Sequence, residues 1–114
     1  MKHFIKYITV FCLLVNIARA QNAEKKTESF KVYGNCGMCK SKIENSLKEK
    51  DGVTSRKYDI KAQMLAVTYD PSKITIQQIG QKVADVGYDN TYATATDEKY
   101  KKLHECCQYK RPSN

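Results

Sequence analysis

Cys36-Gly37-Met38-Cys39 concentrates the chemistry of this chain. A gap of two residues lets both sulfurs point into one small volume. Where the second cysteine opens a helix, the positive end of the helix dipole draws thiol acidity toward neutral pH. Thiolates so placed are soft ligands for Cu(I), Hg(II), Ag(I) or Zn(II). The same pair also serves as a redox dithiol or closes a structural disulfide, and the spacing alone leaves all three open.

A second cluster, His104-Glu105-Cys106-Cys107, offers an imidazole and two thiols within four residues. These side chains either join Cys36 and Cys39 to raise the coordination number to three or four, build a separate soft-metal site, or pair as disulfides within the tail or back to Cys36 or Cys39. Adjacent cysteines strain the backbone when both reach one small ion, so one dominant tail ligand is expected. Met38 is a thioether candidate whose commoner role in a glycine-rich loop is packing. Beyond the leader described below, His104 is the only histidine, which excludes a three-histidine catalytic zinc site.

The elements that must position these groups follow from periodicity. Phe30 and Val32 alternate with polar neighbours, predicting a short strand over 29–33, and the two glycines that follow require a turn. Ile43 and Leu47 in a charged setting predict an amphipathic helix over 39–50, stopped at Asp51-Gly52. Strands are expected over 53–60 and 64–69, the second ended by Asp70-Pro71. Ile76, Ile79, Val83 and Val86 predict a helix over 75–86, opened by a Thr75/Gln78 capping box and closed by Gly87. A last strand over 88–95 and a short helix over 96–103 precede the tail.

Strand, helix, strand, strand, helix, strand is the order of an α+β, ferredoxin-like βαββαβ sandwich: a four-stranded antiparallel sheet with two helices on one face and a short C-terminal extension. The expected core is Phe30, Val32, Ile43, Leu47, Val53, Leu65, Val67, Ile76, Ile79, Val83 and Val86.

The chain has 114 residues, 41% of them hydrophobic and 28% charged, which suits one globular domain. Residues 1–20 read as a signal peptide, with Lys2 and Lys6 before an apolar run and Ala18-Arg19-Ala20 before a cleavage point at Gln21. That run is too short to span a bilayer, so no stable membrane insertion is expected. Residues 21–28 are expected to be flexible, 29–95 to form the domain, and 96–114 the C-terminal helix and tail. The formal charge of +8 falls to +5 without the leader, and the basic residues are scattered, so nucleic acid is not an expected partner. Export makes a periplasmic or secreted location the expectation, and there a disulfide framework for the four remaining cysteines has to be weighed.

In this context the sequence resembles the heavy-metal-associated domain family. The matching pieces are Cys36-Gly37-Met38-Cys39, Asp51-Gly52-Val53, Val67-Thr68-Tyr69-Asp70-Pro71 and Gly87-Tyr88-Asp89, together covering residues 30–92. With an export signal and a single domain, the layout is similar to exported mercury-binding and copper-binding members. The resemblance implies that Cys36 and Cys39 are the metal ligands and that Tyr88 lies beside them, limiting solvent access. It further implies a shallowly held ion that is passed on by ligand exchange to a metal-transporting membrane protein or another carrier. Gly34-Asn35 stand where members commonly carry Met and Thr or His, which removes the usual loop anchor. The hairpin at Lys61-Ala62-Gln63 lacks the usual Gly or Asn.

The reading is therefore a non-enzymatic soft-metal carrier or scavenger. Cu(I) is the first expected cargo and Hg(II) the second, with Zn(II) or Cd(II) admitted where the tail adds ligands. A monomer and a metal-bridged dimer both fit. The readings set against it are a thiol-disulfide redox protein and a disulfide-stapled adaptor without metal.

Overall fold

A computed structural model describes residues 24–112. The signal-peptide reading of residues 1–20 lies outside the described residues. Among those described, no helix is long and apolar enough to cross a membrane.

The sheet has three antiparallel strands in the order β1 (Lys26–Lys31), β3 (Met64–Tyr69), β2 (Val53–Asp59). The central strand β3 buries Leu65, Val67 and Tyr69 and leaves the alternate residues half-buried, as its period-two pattern requires. Helix α1 (Gly37–Asn45) and helix α2 (Ile76–Asp85) bury Cys39 with Ile43, and Ile79 with Val83, in the same cluster as Phe30, Leu65 and Val67. Each fully buried aliphatic side chain contributes about 1.5–3 kcal/mol. Ile76 and Val86 are only partly buried at its margin, while Tyr58, Tyr88, Leu103 and Tyr109 join it unannounced by the aliphatic pattern.

Helix α2 starts where its capping box places it. The Gln78 backbone N–H donates to Thr75 Oγ1 at 3.1 Å, and the Thr75 N–H donates to Gln78 Oε1 at 3.0 Å. Helix α1 begins two residues earlier than the hydrophobic spacing suggests and ends five residues sooner. The Ser46 hydroxyl bonds back to the Ile43 carbonyl at 2.6 Å, satisfying the helix end locally, and a 3-10 turn (Glu49–Asp51) follows.

Two expectations are corrected. Strand β1 starts inside the segment 21–28 expected to be flexible, because Lys26, Thr27 and Glu28 pair with Tyr69, Thr68 and Val67 of β3. Among the described residues the sheet is also three-stranded rather than four-stranded: the strand expected over 88–95 is reduced to one bridge, Val32 with Asn90. Turn chemistry wins there. The Asn90 side chain bonds to the Gly80 carbonyl at 2.8 Å and accepts from the Tyr92 N–H at 3.0 Å, while its backbone N–H closes on the Ala93 carbonyl at 2.9 Å. The segment still runs beside the end of β1, held by Tyr33 N–H to the Asp89 carbonyl at 3.0 Å and Thr91 N–H to the Lys31 carbonyl at 3.1 Å.

The extension forms a short helix α3 (Asp97–Lys101), capped by Thr96, and a 3-10 turn (Glu105–Cys107) that carries the tail cysteines.

Candidate metal centre

The loop between β1 and α1 is anchored differently from the family habit. A Cβ on Gly34 would stand 3.1 Å from Tyr58 Oη and 3.3 Å from Ile43 Cδ1, so the backbone passes the core more closely than a side chain there allows. Gln63, in the left-handed region at φ 54°, donates from Nε2 to the Gly34 carbonyl at 2.8 Å, and its own carbonyl accepts from Val32 N–H at 3.0 Å. Tyr58 Oη donates to the Val32 carbonyl at 2.6 Å. Asn35 Oδ1 accepts from the Cys39 thiol at 3.3 Å. Gly34 and Asn35 thus supply by close approach and hydrogen bonding what a buried side chain would otherwise supply. Met38 is 52% exposed and does not anchor the loop.

Cys36 caps the N-terminus of α1 in extended conformation, and Cys39 sits in the first turn, wholly buried. Their sulfurs are 3.3 Å apart. Lys40, next in sequence, locks the helix to β2: its ammonium reaches Glu44 Oε2 at 2.7 Å and the Tyr58 carbonyl at 3.0 Å, while Tyr58 N–H donates to the same Glu44 oxygen at 2.8 Å. Burial alone would raise the Cys36 thiol. The Cys39 backbone N–H and the thiols of Cys39, Cys107 and Cys106 more than offset this, lowering it from 9.0 to about 7.

The tail completes the cluster. Cys107 Sγ lies 3.3 Å from Cys36 Sγ, and Cys106 Sγ lies 3.8 Å from it. The two tail sulfurs are 3.8 Å apart, and Met38 Sδ is 3.6 Å from Cys106. The ligand atoms of Cys36, Cys106 and Cys107 all lie within 4.8 Å of one another. Both tail thiols therefore approach Cys36, Cys107 more closely than Cys106. His104 does not join them. Its carbonyl starts the turn by accepting from Cys107 N–H at 2.8 Å, while its side chain remains exposed.

What holds the tail in place was not legible in its sequence. Arg111 donates to Asp89, to Asp97 and to the Ala95 carbonyl. Tyr109 Oη accepts from Asp89 N–H and donates to the Gly87 carbonyl, both at 2.8 Å. Its ring stacks on Tyr88 with centroids 5.7 Å apart and meets Tyr100 edge-on at 5.1 Å. Leu103 presses on Gly87, where a Cβ would come within 2.9 Å of it and where φ is +109°. The only trace of this clamp in the sequence is an aromatic and an arginine after the cysteines.

The Tyr88 side chain neighbours the sulfurs of Cys39 and Cys107. It is fully buried, and its hydroxyl has no hydrogen-bond partner. Burial, and then the neighbouring sulfurs of Cys39 and Cys107, hold that hydroxyl firmly in its protonated form. A buried O–H facing sulfur can act as a donor to a thiolate.

Residues 31–89 match the profile of the heavy-metal-associated domain. The chain belongs to that family. A heavy-metal-associated relative, the copper chaperone CopZ of Staphylococcus aureus, is 41% identical over 54 residues, 47% of this chain and 79% of the relative. Among solved structures, the water-soluble region of the P-type ATPase CopA from Bacillus subtilis superposes with a TM-score of 0.56 at 30% identity, over 60% of this chain and 46% of that one. Oxidized MerP from Ralstonia metallidurans shares the fold, with a TM-score of 0.56 at 23% identity over 60% of this chain and 96% of that one. The matched segment holds Cys36, Cys39 and Tyr88, whereas Cys106, Cys107, Tyr109 and Arg111 lie beyond it.

Proposed function

We propose that this heavy-metal-associated protein is an exported metallochaperone. It binds Cu(I) through Cys36 and Cys39 and passes it by thiolate exchange to a metal-transporting membrane protein or to another carrier. The observation that carries this reading is the sulfur pair 3.3 Å apart at the start of α1, one sulfur buried and the other half-exposed. Two thiolates suit a soft d10 ion, and the half-exposed Cys36 gives an acceptor's thiol a side from which to attack. The raised acidity of Cys36, its thiol lowered from 9.0 to about 7, keeps a thiolate available near neutral pH. Relatives named for copper favour Cu(I) over Hg(II). The P-type ATPase CopA, which carries similar domains, illustrates the kind of acceptor.

A redox reading draws on the same contacts, because Cys36 lies 3.3 Å from both Cys39 and Cys107 and oxidation could join it to either. The test is an anaerobic titration of the reduced protein with Cu(I), Hg(II) and Zn(II) in separate series, each against a competing chelator. The carrier reading expects Cu(I) to be held by the wild type and lost from Cys36→Ser/Cys39→Ser. Failure to retain any of the ions, with reversible loss of thiol titre on mild oxidation, would favour the redox reading.

A further inference from the structure

Beyond the family's matched segment, the tail places a buried thiol against the cysteine pair. We propose that Cys107 is a third thiolate ligand, so that the chain holds Cu(I) in a three-sulfur site of Cys36, Cys39 and Cys107, with the Tyr88 hydroxyl donating to the sulfurs from the buried side. This rests on the reading of Cys36 and Cys39 as the metal-binding pair.

Three independent observations converge. Cys107 is buried and its sulfur is as close to Cys36 as Cys39 is, 3.3 Å in each case. Its position is built rather than incidental: Tyr109 and Arg111, two and four residues further on, bond to the backbone and side chains of residues 87–97. The Tyr88 hydroxyl is buried without any hydrogen-bond partner, and the sulfurs of Cys39 and Cys107 are the polar groups that neighbour it. A buried donor left unpaired is costly, and an anionic sulfur is the acceptor that would satisfy it. Cys106 is a weaker candidate, being exposed and farther from Cys36 at 3.8 Å; with Met38 it forms the solvent-facing rim.

The step balances without any redox partner. Cu(I) enters as a cation, each of the three cysteines that is still protonated releases its S–H proton to solvent, and three Cu–S bonds form with no change in oxidation state. The ion itself ionises a coordinating thiol, so the third bond and the proton loss come together. The resulting anionic centre is met by the Tyr88 hydroxyl and by the N-terminus of α1. A third thiolate holds Cu(I) against competing thiols more firmly than a pair does, and transfer then requires Cys107 to leave as the acceptor's sulfur enters.

The experiment is X-ray absorption at the copper edge on the Cu(I)-loaded protein in a Cys12→Ser background, so that four thiols are present. Three sulfur neighbours are expected in this parent and two in Cys107→Ser, with Cu(I) affinity falling by about tenfold or more. Near-ultraviolet circular dichroism of the tyrosines checks that Cys107→Ser keeps the tail docked. The parent's own sulfur count, and cadmium-113 NMR of its Cd(II) form, report the donor number without any substitution in the site. A parent that holds Cu(I) through two sulfurs, or a count that Cys107→Ser leaves unchanged, overturns the third ligand alone. A parent that holds no Cu(I) refutes the pair and the third ligand together.

Discussion

The Arg111 guanidinium holds the buried Asp89 carboxylate with two hydrogen bonds, Nε to Oδ2 at 2.9 Å and Nη2 to Oδ1 at 3.0 Å, across 22 residues of sequence. Asp89 follows Tyr88, and Arg111 follows the tail cysteines by four residues, so this ion pair ties the loop behind the sulfurs to the segment that brings Cys107 to them.

Arg111→Met should therefore destabilise the fold and loosen the tail. Removing one partner leaves a carboxylate that is 3% exposed without its counter-charge, a loss of about 3 kcal/mol. Urea unfolding measures the loss. Amide hydrogen exchange over residues 105–109 should accelerate more than exchange in β3, and equal acceleration in both would argue against a local clamp.

Tyr88→Phe separates stability from metal binding. Without metal, deleting an unpartnered buried hydroxyl should leave the thermal midpoint unchanged or raise it, by up to about 1 kcal/mol of stability. With metal, loss of the donor should weaken Cu(I) binding by about 10–100-fold. A variant less stable without metal, yet equal in affinity, would mean the hydroxyl serves packing only.

Glu44 predicts a pH dependence. Burial pushes its carboxyl up, but the Lys40 ammonium and the Tyr58 N–H outweigh this and hold it below the usual carboxylate range. A depressed folded-state value stabilises the fold above the unfolded value and loses that contribution as pH falls through the folded one. The stability difference between wild type and Glu44→Gln should thus be largest near neutrality and shrink as pH falls below about 4. Urea midpoints measured across that window check it, and a difference that grows in acid would contradict it.

Gly34→Ala tests the loop anchor. The added methyl would meet Tyr58 Oη at 3.1 Å, Ile43 Cδ1 at 3.3 Å and Cys39 Cβ at 3.4 Å, so the loop or its neighbours must shift. A destabilisation of about 1–3 kcal/mol is expected, together with weaker Cu(I) binding because Cys39 is among the groups displaced. Unchanged denaturant and metal titrations would show that the loop tolerates the side chain.

Elements fixed by local chemistry were legible in the sequence. Strand β3 keeps its expected bounds because Leu65, Val67 and Tyr69 alternate without interruption, and α2 starts at its Thr75 capping box. Cys36 and Cys39 are neighbours through one helical turn, so their meeting also needs no tertiary information. What failed depends on distant partners or on local competition. The polar start of β1 is ordered only by pairing with β3, and the strand over 88–95 gives way to turns made by the Asn90 side chain. The approach of Cys107 to Cys36 depends on Asp89, Gly87 and Tyr88 receiving Tyr109 and Arg111, and no periodicity in the tail announces that contact.

The central claim is that Cys36 and Cys39 together hold a soft metal ion. Its most direct test is native mass spectrometry of the reduced protein loaded with Cu(I) under a competing chelator, comparing wild type with Cys36→Ser, Cys39→Ser and the double variant. The account predicts one Cu(I) per wild-type chain, weakened retention in each single variant, and loss of the ion in the double variant. Equal Cu(I) retention by wild type and the double variant would place the site elsewhere and contradict it.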